Sequence, residues 1–338
     1  MILKLAGHTY EGDKDVLAGD IGATKTNLAF CHWNGTGLSV QKTVTYKTKS
    51  FQDIGSMIRE FIANEKMPGK ICLGIAGPVQ DGKVSLTNVH WEIEGKALSE
   101  EFNQVPVSLI NDLEATAYGL AVIEQKNVHE LYEGGKEAKG NMAIIAPGTG
   151  LGEAGLYQGL DGYYPFGTEG GHCDFAPRTD LDIEFYHFLK RKFGHVSWER
   201  VISGPGICTI YDFLRLEKDR SEPAWLKEKI LMHDKASVIS ENAGECEICG
   251  ETMELFIRYL AEESANLVLK LKASGGLFIA GGIIPHILPI LHKEVFMKWF
   301  TSAGRLKSFL QSVPIKIVLN DKTPLLGAAW YGLLVQPS

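Results

Sequence analysis

Residues 16–30 read Val-Leu-Ala-Gly-Asp-Ile-Gly-Ala-Thr-Lys-Thr-Asn-Leu-Ala-Phe. Val16 to Asp20 has the apolar run of a buried strand ending in a turn, and Asn27 to Phe30 is the strand that returns from it. The end of the first strand and the turn after it are Gly19, Asp20, Ile21, Gly22, Ala23 and Thr24. Glycines in such a turn let backbone N–H groups approach a phosphate, because no Cβ blocks access. Asp20, at the strand end, is placed to hold the water shell of Mg²⁺, an ion that keeps several waters when it binds nucleotide. An ordinary glycine-containing hairpin reads the same way. The stretch is not a Walker loop, because no Gly-Lys-Ser/Thr follows at the required spacing.

Moving outward, the same pattern recurs. Met142 to Ala146 is a strand that runs into Pro147-Gly148-Thr149-Gly150, and Ala154 to Tyr157 returns. Met142 follows Val16 by 126 positions (142 − 16), which hints at an internal duplication. Two such turns, each at a strand end, suit a nucleotide whose phosphates are held between two lobes. A third cluster, Gly281-Gly282, closes the strand Leu277 to Ala280. There glycine lets a flat ring lie against backbone, or simply makes a tight strand-to-helix turn. Further strands are expected at 71–75 and 107–110. Helices are expected around 51–64, after Asp112, and over 180–193, 204–216, 252–272 and 325–335. Alternating strands and helices predict an α/β fold with largely parallel sheets. No Ser/Pro-rich linker divides the chain, so its two halves are expected to share a hinge.

Composition narrows the function. The chain has 338 residues with 45% apolar and 22% charged, the profile of a globular protein of about two domains. A net charge of −7 argues against a general nucleic-acid binder, whose affinity rests on a basic face. Six scattered cysteines do not make a disulfide scaffold, so a reducing compartment is expected. No apolar run is long enough to span a membrane, the first residues do not read as a signal peptide, and the C-terminal Val335-Gln336-Pro337-Ser338 is no peroxisomal signal. A cytoplasmic protein is the expectation.

The chemistry-bearing stretch is Leu109-Ile110-Asn111-Asp112-Leu113. A carboxylate that opens a helix after a buried strand can be a cap. With Asn111 beside it, Asp112 also fits a base at the strand ends where α/β proteins place ligands. Glu169-Gly170-Gly171-His172 puts a carboxylate and an imidazole on a turn, and Glu199 adds an acid before Ser203-Gly204-Pro205-Gly206. Carboxylates, an amide and an imidazole with few cations suit a neutral polyol, whose hydroxyls donate to acidic oxygens.

Taken in order, these motifs, with Gly194-His195-Val196-Ser197, resemble the bacterial-type glucokinase family of the actin-like, sugar kinase and Hsp70 superfamily, over about residues 16–333. The resemblance implies two actin-like ATPase (ribonuclease H-like) α/β domains with a cleft between them. The small domain would be 1–111 plus 322–338, and the large one 112–321. It implies transfer of the γ-phosphate of ATP to the 6-hydroxyl of D-glucose, the entry step of glycolysis. Asp112 would be the general base. Asn111, Asp112, Glu169, His172 and Glu199 would hold the sugar. Gly19 to Thr24, Gly148 to Gly150 and Gly281-Gly282 would hold ATP with Mg²⁺. A homodimer is implied as well.

The sequence departs from the family pattern at Gly22-Ala23-Thr24-Lys25, where many relatives have Gly-Gly-Thr-Asn. Ala23 then requires a backbone at φ < 0. Lys25 reads as a surface charge or as a further phosphate contact. Cys246-Glu247-Ile248-Cys249 is a lone C-x-x-C, short of the four ligands zinc needs. Two other functional classes fit the sequence less well. A sugar-responsive DNA-binding regulator needs a module that the roughly 15 residues before the first strand cannot supply. An ATPase switch does not need the turn at 169–172. Mannose, fructose or glucosamine would require only small pocket changes.

Overall fold

The computed structural model describes residues 3–6, 13–35, 37–86, 89–135 and 138–334. Residue 335, the predicted last residue of the C-terminal helix, and the tail that follows lie outside them. The chain divides into two compact units, residues 1–127, 156–167 and 320–338, and residues 128–155 and 168–319.

In the first unit, β1 (Asp13–Ile21), β2 (Lys25–Asn34) and β3 (Leu38–Lys47) form an antiparallel meander. Then follow α1 (Ile54–Ile62), β4 (Lys70–Ile75), the small hairpin β5 (Lys83–Leu86) and β6 (Trp91–Glu94), α2 (Gly95–Glu101), β7 (Val107–Asn111) and α3 (Asp112–Gly119). The sheet order is β3-β2-β1-β4-β7. β4 is buried along its whole length, as a central parallel strand covered on both faces should be. α1 starts at residue 54 rather than 51 because Asp53 caps it, accepting the Ser56 N–H at 2.6 Å in a capping box. Its inner face is Ile54, Met57, Ile58 and Phe61.

Register across the parallel strands positions the chemistry. Ile21 of β1 pairs with Ile75 of β4, and Ile75 pairs with Asn111 of β7. The turn after β1 and the Asn111-Asp112 step therefore leave the same edge of one sheet, two strands or about 10 Å apart.

The second unit contains β8 (Val128–Tyr132), β9 (Met142–Pro147), β10 (Leu151–Gln158) and β11 (Tyr163–Thr168), the last two shared in part with the first unit. It continues through α4 (Asp180–Phe193), α5 (Gly204–Glu217), α6 (Ala224–Met232), α7 (Lys235–Glu241) and α8 (Glu247–Leu271). It ends with β12 (Gly276–Ile279), α9 (Ile284–Ile287), α10 (Lys293–Phe300), α11 (Lys307–Gln311) and β13 (Ile315–Val318). Its sheet runs β11-β10-β9-β12-β13-β8, with β9, β12 and β13 parallel. Stripped of β8, this repeats the first sheet: a hairpin, a third strand outside it, then two parallel strands inside. The repeat is what the 126-residue spacing hinted at.

The expectation of largely parallel sheets needs correcting. Only β1, β4 and β7 of the first sheet and β9, β12 and β13 of the second are parallel. The meander β1-β2-β3 is antiparallel because short turns join its strands, and a short turn cannot connect parallel neighbours, while β8 runs antiparallel to β13 without such a turn.

The last helix, α12 (Thr323–Leu334), belongs to the first unit. Its Leu325, Ala328 and Ala329 share a small-residue core with Ala18, Ala29, Cys72 and Ala115. Ala115 lies on α3, so α3 is part of the first unit too, whereas the sequence reading set a boundary at 111/112. Among the described residues no helix is long and apolar enough to cross a membrane.

Candidate functional site

In the first unit, Asn111 is the N-cap of α3. Its Oδ1 accepts the N–H groups of Leu113 (2.9 Å) and Glu114 (3.3 Å), and its Nδ2 donates to Gly77 O at 3.2 Å. The cap is thus the amide, and Asp112 is the first helical residue. Its carboxylate sits half-buried at the positive end of α3, with Oδ1 taking the Leu113 N–H at 3.0 Å.

The turn after β1 is closed by Gly22 N–H donating to Lys25 O at 3.1 Å. Thr48, which sequence reasoning missed, locks it from beneath: its hydroxyl donates to Gly22 O at 2.7 Å and its N–H to Thr24 O at 3.1 Å. Ala23 is not among the described residues with positive φ, as its side chain requires. Burial pushes the Asp20 carboxyl above its ordinary range; the hydrogen bond from Asn27 (3.1 Å) and the charge of Lys25 pull it down, and Asp321 pushes it up. Lys25 is exposed, yet close enough to act on Asp20. Carboxylate oxygens of Asp20 with Asp321 nearby form a hard, negative donor set of the kind Mg²⁺ takes.

In the second unit, the Gly148–Gly150 turn is held at both ends. Gly148 N–H donates to Gly150 O at 2.8 Å, and Gly148 O accepts the Gly204 N–H at 2.9 Å. Gly204 opens α5, whose cap Ser203 accepts the Gly206 N–H at 3.1 Å. The positive end of a 14-residue helix is thereby tied to the turn. A Cβ on Gly148 or Gly282 would meet only open space, whereas one on Gly281 would collide with Pro147 O. Gly281 also has φ +91°, which only glycine adopts without strain. The second and third glycine clusters therefore meet.

The turn at 169–172 lies on β10. A Cβ on Gly171 would strike Leu151 O, and one on Gly170 would strike the carboxylate of Glu153. Thr168 Oγ1 accepts the Gly170 N–H at 3.2 Å and donates to Glu153 O at 3.1 Å. Glu169 and His172 are both exposed, 3.9 Å apart. Leu151, whose carbonyl supports the turn, donates its N–H to Glu199 Oε2 at 3.2 Å. The segment after the turn pairs with the one before Glu199, with Phe175 N–H to Val196 O at 2.9 Å and Trp198 N–H to Cys173 O at 3.0 Å.

Beneath this turn is a group that sequence reasoning missed. Glu153 is 1% exposed, and its Oε1 has no hydrogen-bond donor. Glu263 of α8, fully buried, faces it and takes hydrogen bonds from Asn266 (2.7 Å) and Lys270 (3.1 Å). Burial first, and the Glu263 charge second, push the Glu153 carboxyl up to about 8. Elsewhere, His195 bonds Asp174 at 2.9 Å on the surface, and Cys246 and Cys249 are free and buried at the start of α8.

The predicted residues thus fall into two sets. In the first unit, Gly19 to Ile21 end β1 inside the sheet, and the turn Gly22 to Thr24 leaves the same edge as Asn111-Asp112. In the second, Gly148 to Gly150, Gly281-Gly282, Glu199 and the 169–172 turn surround the start of β10.

Residues 17–334 match the Glucokinase family model. A glucokinase of Synechocystis is 38% identical, over 93% of this chain and 96% of that protein. Among solved structures, the glucokinase of an Antarctic psychrotroph superposes with a TM-score of 0.79 at 30% identity, over 94% of this chain and 98% of that one. A ROK family glucokinase from Streptomyces griseus, solved with glucose and AMPPNP, superposes at 0.65 with 18% identity, over 94% and 99%. Two actin-like ATPase domains are the fold these structures share with it. The chain belongs to the glucokinase family.

Proposed function

We propose that this chain transfers the γ-phosphoryl group of ATP to the 6-hydroxyl of D-glucose, releasing ADP and glucose 6-phosphate. The observation that carries the reading is the register of β1, β4 and β7, which brings the Asp20 turn and Asp112 out of one sheet edge. Asp112 accepts the proton of the 6-hydroxyl as that oxygen bonds to the γ-phosphorus. The bond from phosphorus to the β,γ-bridging oxygen breaks, and the electron pair leaves with ADP. A positioned base of this kind contributes ~10²–10⁴-fold.

Asn111, anchored through its cap and Gly77, has one amide N–H left for a sugar hydroxyl. Glu169, His172 and Glu199 take the remaining hydroxyls, and a missing or inverted hydroxyl then leaves a site group unsatisfied. Phosphoryl transfer rests on alignment and charge neutralisation. The turns after β1 and β9 cradle the phosphates, the start of α5 adds positive potential, and Gly281-Gly282 lie against the adenosine. Asp20 would help to hold Mg²⁺, which would supply charge neutralisation at the phosphates. The family resemblance supports a homodimer acting in the cytoplasm.

The test is ADP release from Mg-ATP with glucose, mannose, fructose, glucosamine or no sugar. Glucose-dependent ADP matched mole for mole by glucose 6-phosphate is the expected result. ADP release indifferent to every sugar would contradict it and favour an ATPase switch.

A further inference from the structure

Glu153 and Glu263 have no part in the chemistry above, yet they lie directly beneath the turn it uses. Two buried carboxylates side by side repel strongly, and a protein interior does not tolerate both charges. Lys270 supplies one positive charge to the cluster. Against Lys270, its one ion-pair partner among the described residues, the pair carries a net −1 with both acids ionised and is neutral with one proton added, while Arg178 acts on Glu263 without an ion pair. That proton also supplies the donor that Glu153 Oε1 otherwise lacks. The contact with the turn is direct, because Gly170 has no Cβ and its backbone rests on the Glu153 carboxylate.

We propose that Glu153 and Glu263 share one proton beneath residues 168–172, and that this carboxyl–carboxylate pair is a positioning device that sets Glu169 and His172 for the sugar. This rests on the reading of that turn as sugar-binding. Glu153 and Glu263 are positioning residues, since neither touches substrate. The groups facing the pair are Lys270 and Asn266 on α8, with Arg178 acting on Glu263 and Cys173 on Lys270. Lys270 stays charged, and burial raises both acids. Loss of the shared proton at alkaline pH leaves two carboxylates against one ammonium. Glu153 then moves off Glu263, and the backbone resting on it moves too.

The experiment compares glucose KM and kcat from about pH 7 to about pH 9.5 in the wild type, Glu153→Gln and Glu263→Gln. Glutamine at 153 mimics the protonated acid, with its N–H donating to Glu263. The wild-type glucose KM should rise ~10-fold over that range with a smaller change in kcat, since a displaced turn weakens binding first. Both variants should show a nearly flat KM, and Glu153→Gln should hold the neutral-pH KM within ~3-fold of wild type. A Glu153→Gln enzyme that keeps the wild-type pH dependence overturns the proposal.

A second readout uses the wild-type chain alone. Its infrared spectrum should contain a buried protonated carboxyl at neutral pH that disappears on the alkaline side. Absence of that band also overturns the proposal. Glu169→Gln separates the premise: an unchanged glucose KM there removes the turn from sugar binding and the positioning role with it, while the shared proton is still judged by the infrared band.

Discussion

Glu199 Oε2 accepts the backbone N–H of Leu151 at 3.2 Å, joining a residue proposed for the sugar with the first residue after the Gly148–Gly150 turn. One carboxylate oxygen is therefore spent on the turn, and the other is left for a hydroxyl. A hydrogen bond to a charged group contributes ~1.5–3 kcal/mol. Glu199→Ala should accordingly raise the ATP KM about 10-fold along with the glucose KM. Steady-state kinetics with each substrate varied in turn checks this, and an unchanged ATP KM would reduce Glu199 to a sugar contact.

Gly281→Ala addresses the meeting of the glycine clusters. At φ +91° and against Pro147 O, an added methyl forces strain or displacement. The expected effect is ~1–3 kcal/mol of lost stability with a raised ATP KM and a nearly unchanged glucose KM. Thermal unfolding together with the two KM values reads both.

Asp20→Asn should lower turnover about 10-fold or more and raise the Mg²⁺ concentration needed for half-maximal rate, because a neutral amide attracts the hydrated ion weakly. A Mg²⁺ titration at fixed ATP measures it. Wild-type Mg²⁺ dependence would move the ion away from Asp20.

Arg258→Met tests the core of the second unit. Asp182, with no exposed surface, accepts Arg258 Nη2 at 2.5 Å, the Tyr259 hydroxyl at 2.9 Å and the N–H groups of Arg178 and Thr179. Removing the guanidinium leaves that charge and Glu262 uncompensated, a loss of ~3–5 kcal/mol. Denaturant unfolding should show the deficit while kcat of the folded fraction stays near wild type.

Much of this was legible in the sequence wherever apolar runs stop at glycine. β1, β4, β9 and β12 are buried strands of that kind, and the glycine turns after β1, β9 and β12 sit where the reading put them. Elements without such a signal were hidden. β3 is an edge strand in which polar and apolar residues mix, β11 contains Pro165 and Gly167, and β13 has four residues. The start of α8 was read five residues late, because Gly250 interrupts the apolar pattern.

The buried acids were hidden for another reason. Glu153, Asp182, Glu262 and Glu263 are residue types that composition places outside, and only their partners justify their burial. Asp182 finds Arg258 76 positions away, a pairing no local pattern encodes. The Asn111-Asp112 pair was read as a unit, but which of the two caps α3 depended on backbone geometry.

The base assignment is the centre of the account, and Asp112→Asn examines it most directly. Glucose affinity should be measured by calorimetry beside turnover with saturating Mg-ATP. The account predicts a glucose Kd within ~3-fold of wild type while turnover falls by at least ~10²-fold. Turnover near the wild-type rate in a variant that still binds glucose would contradict it.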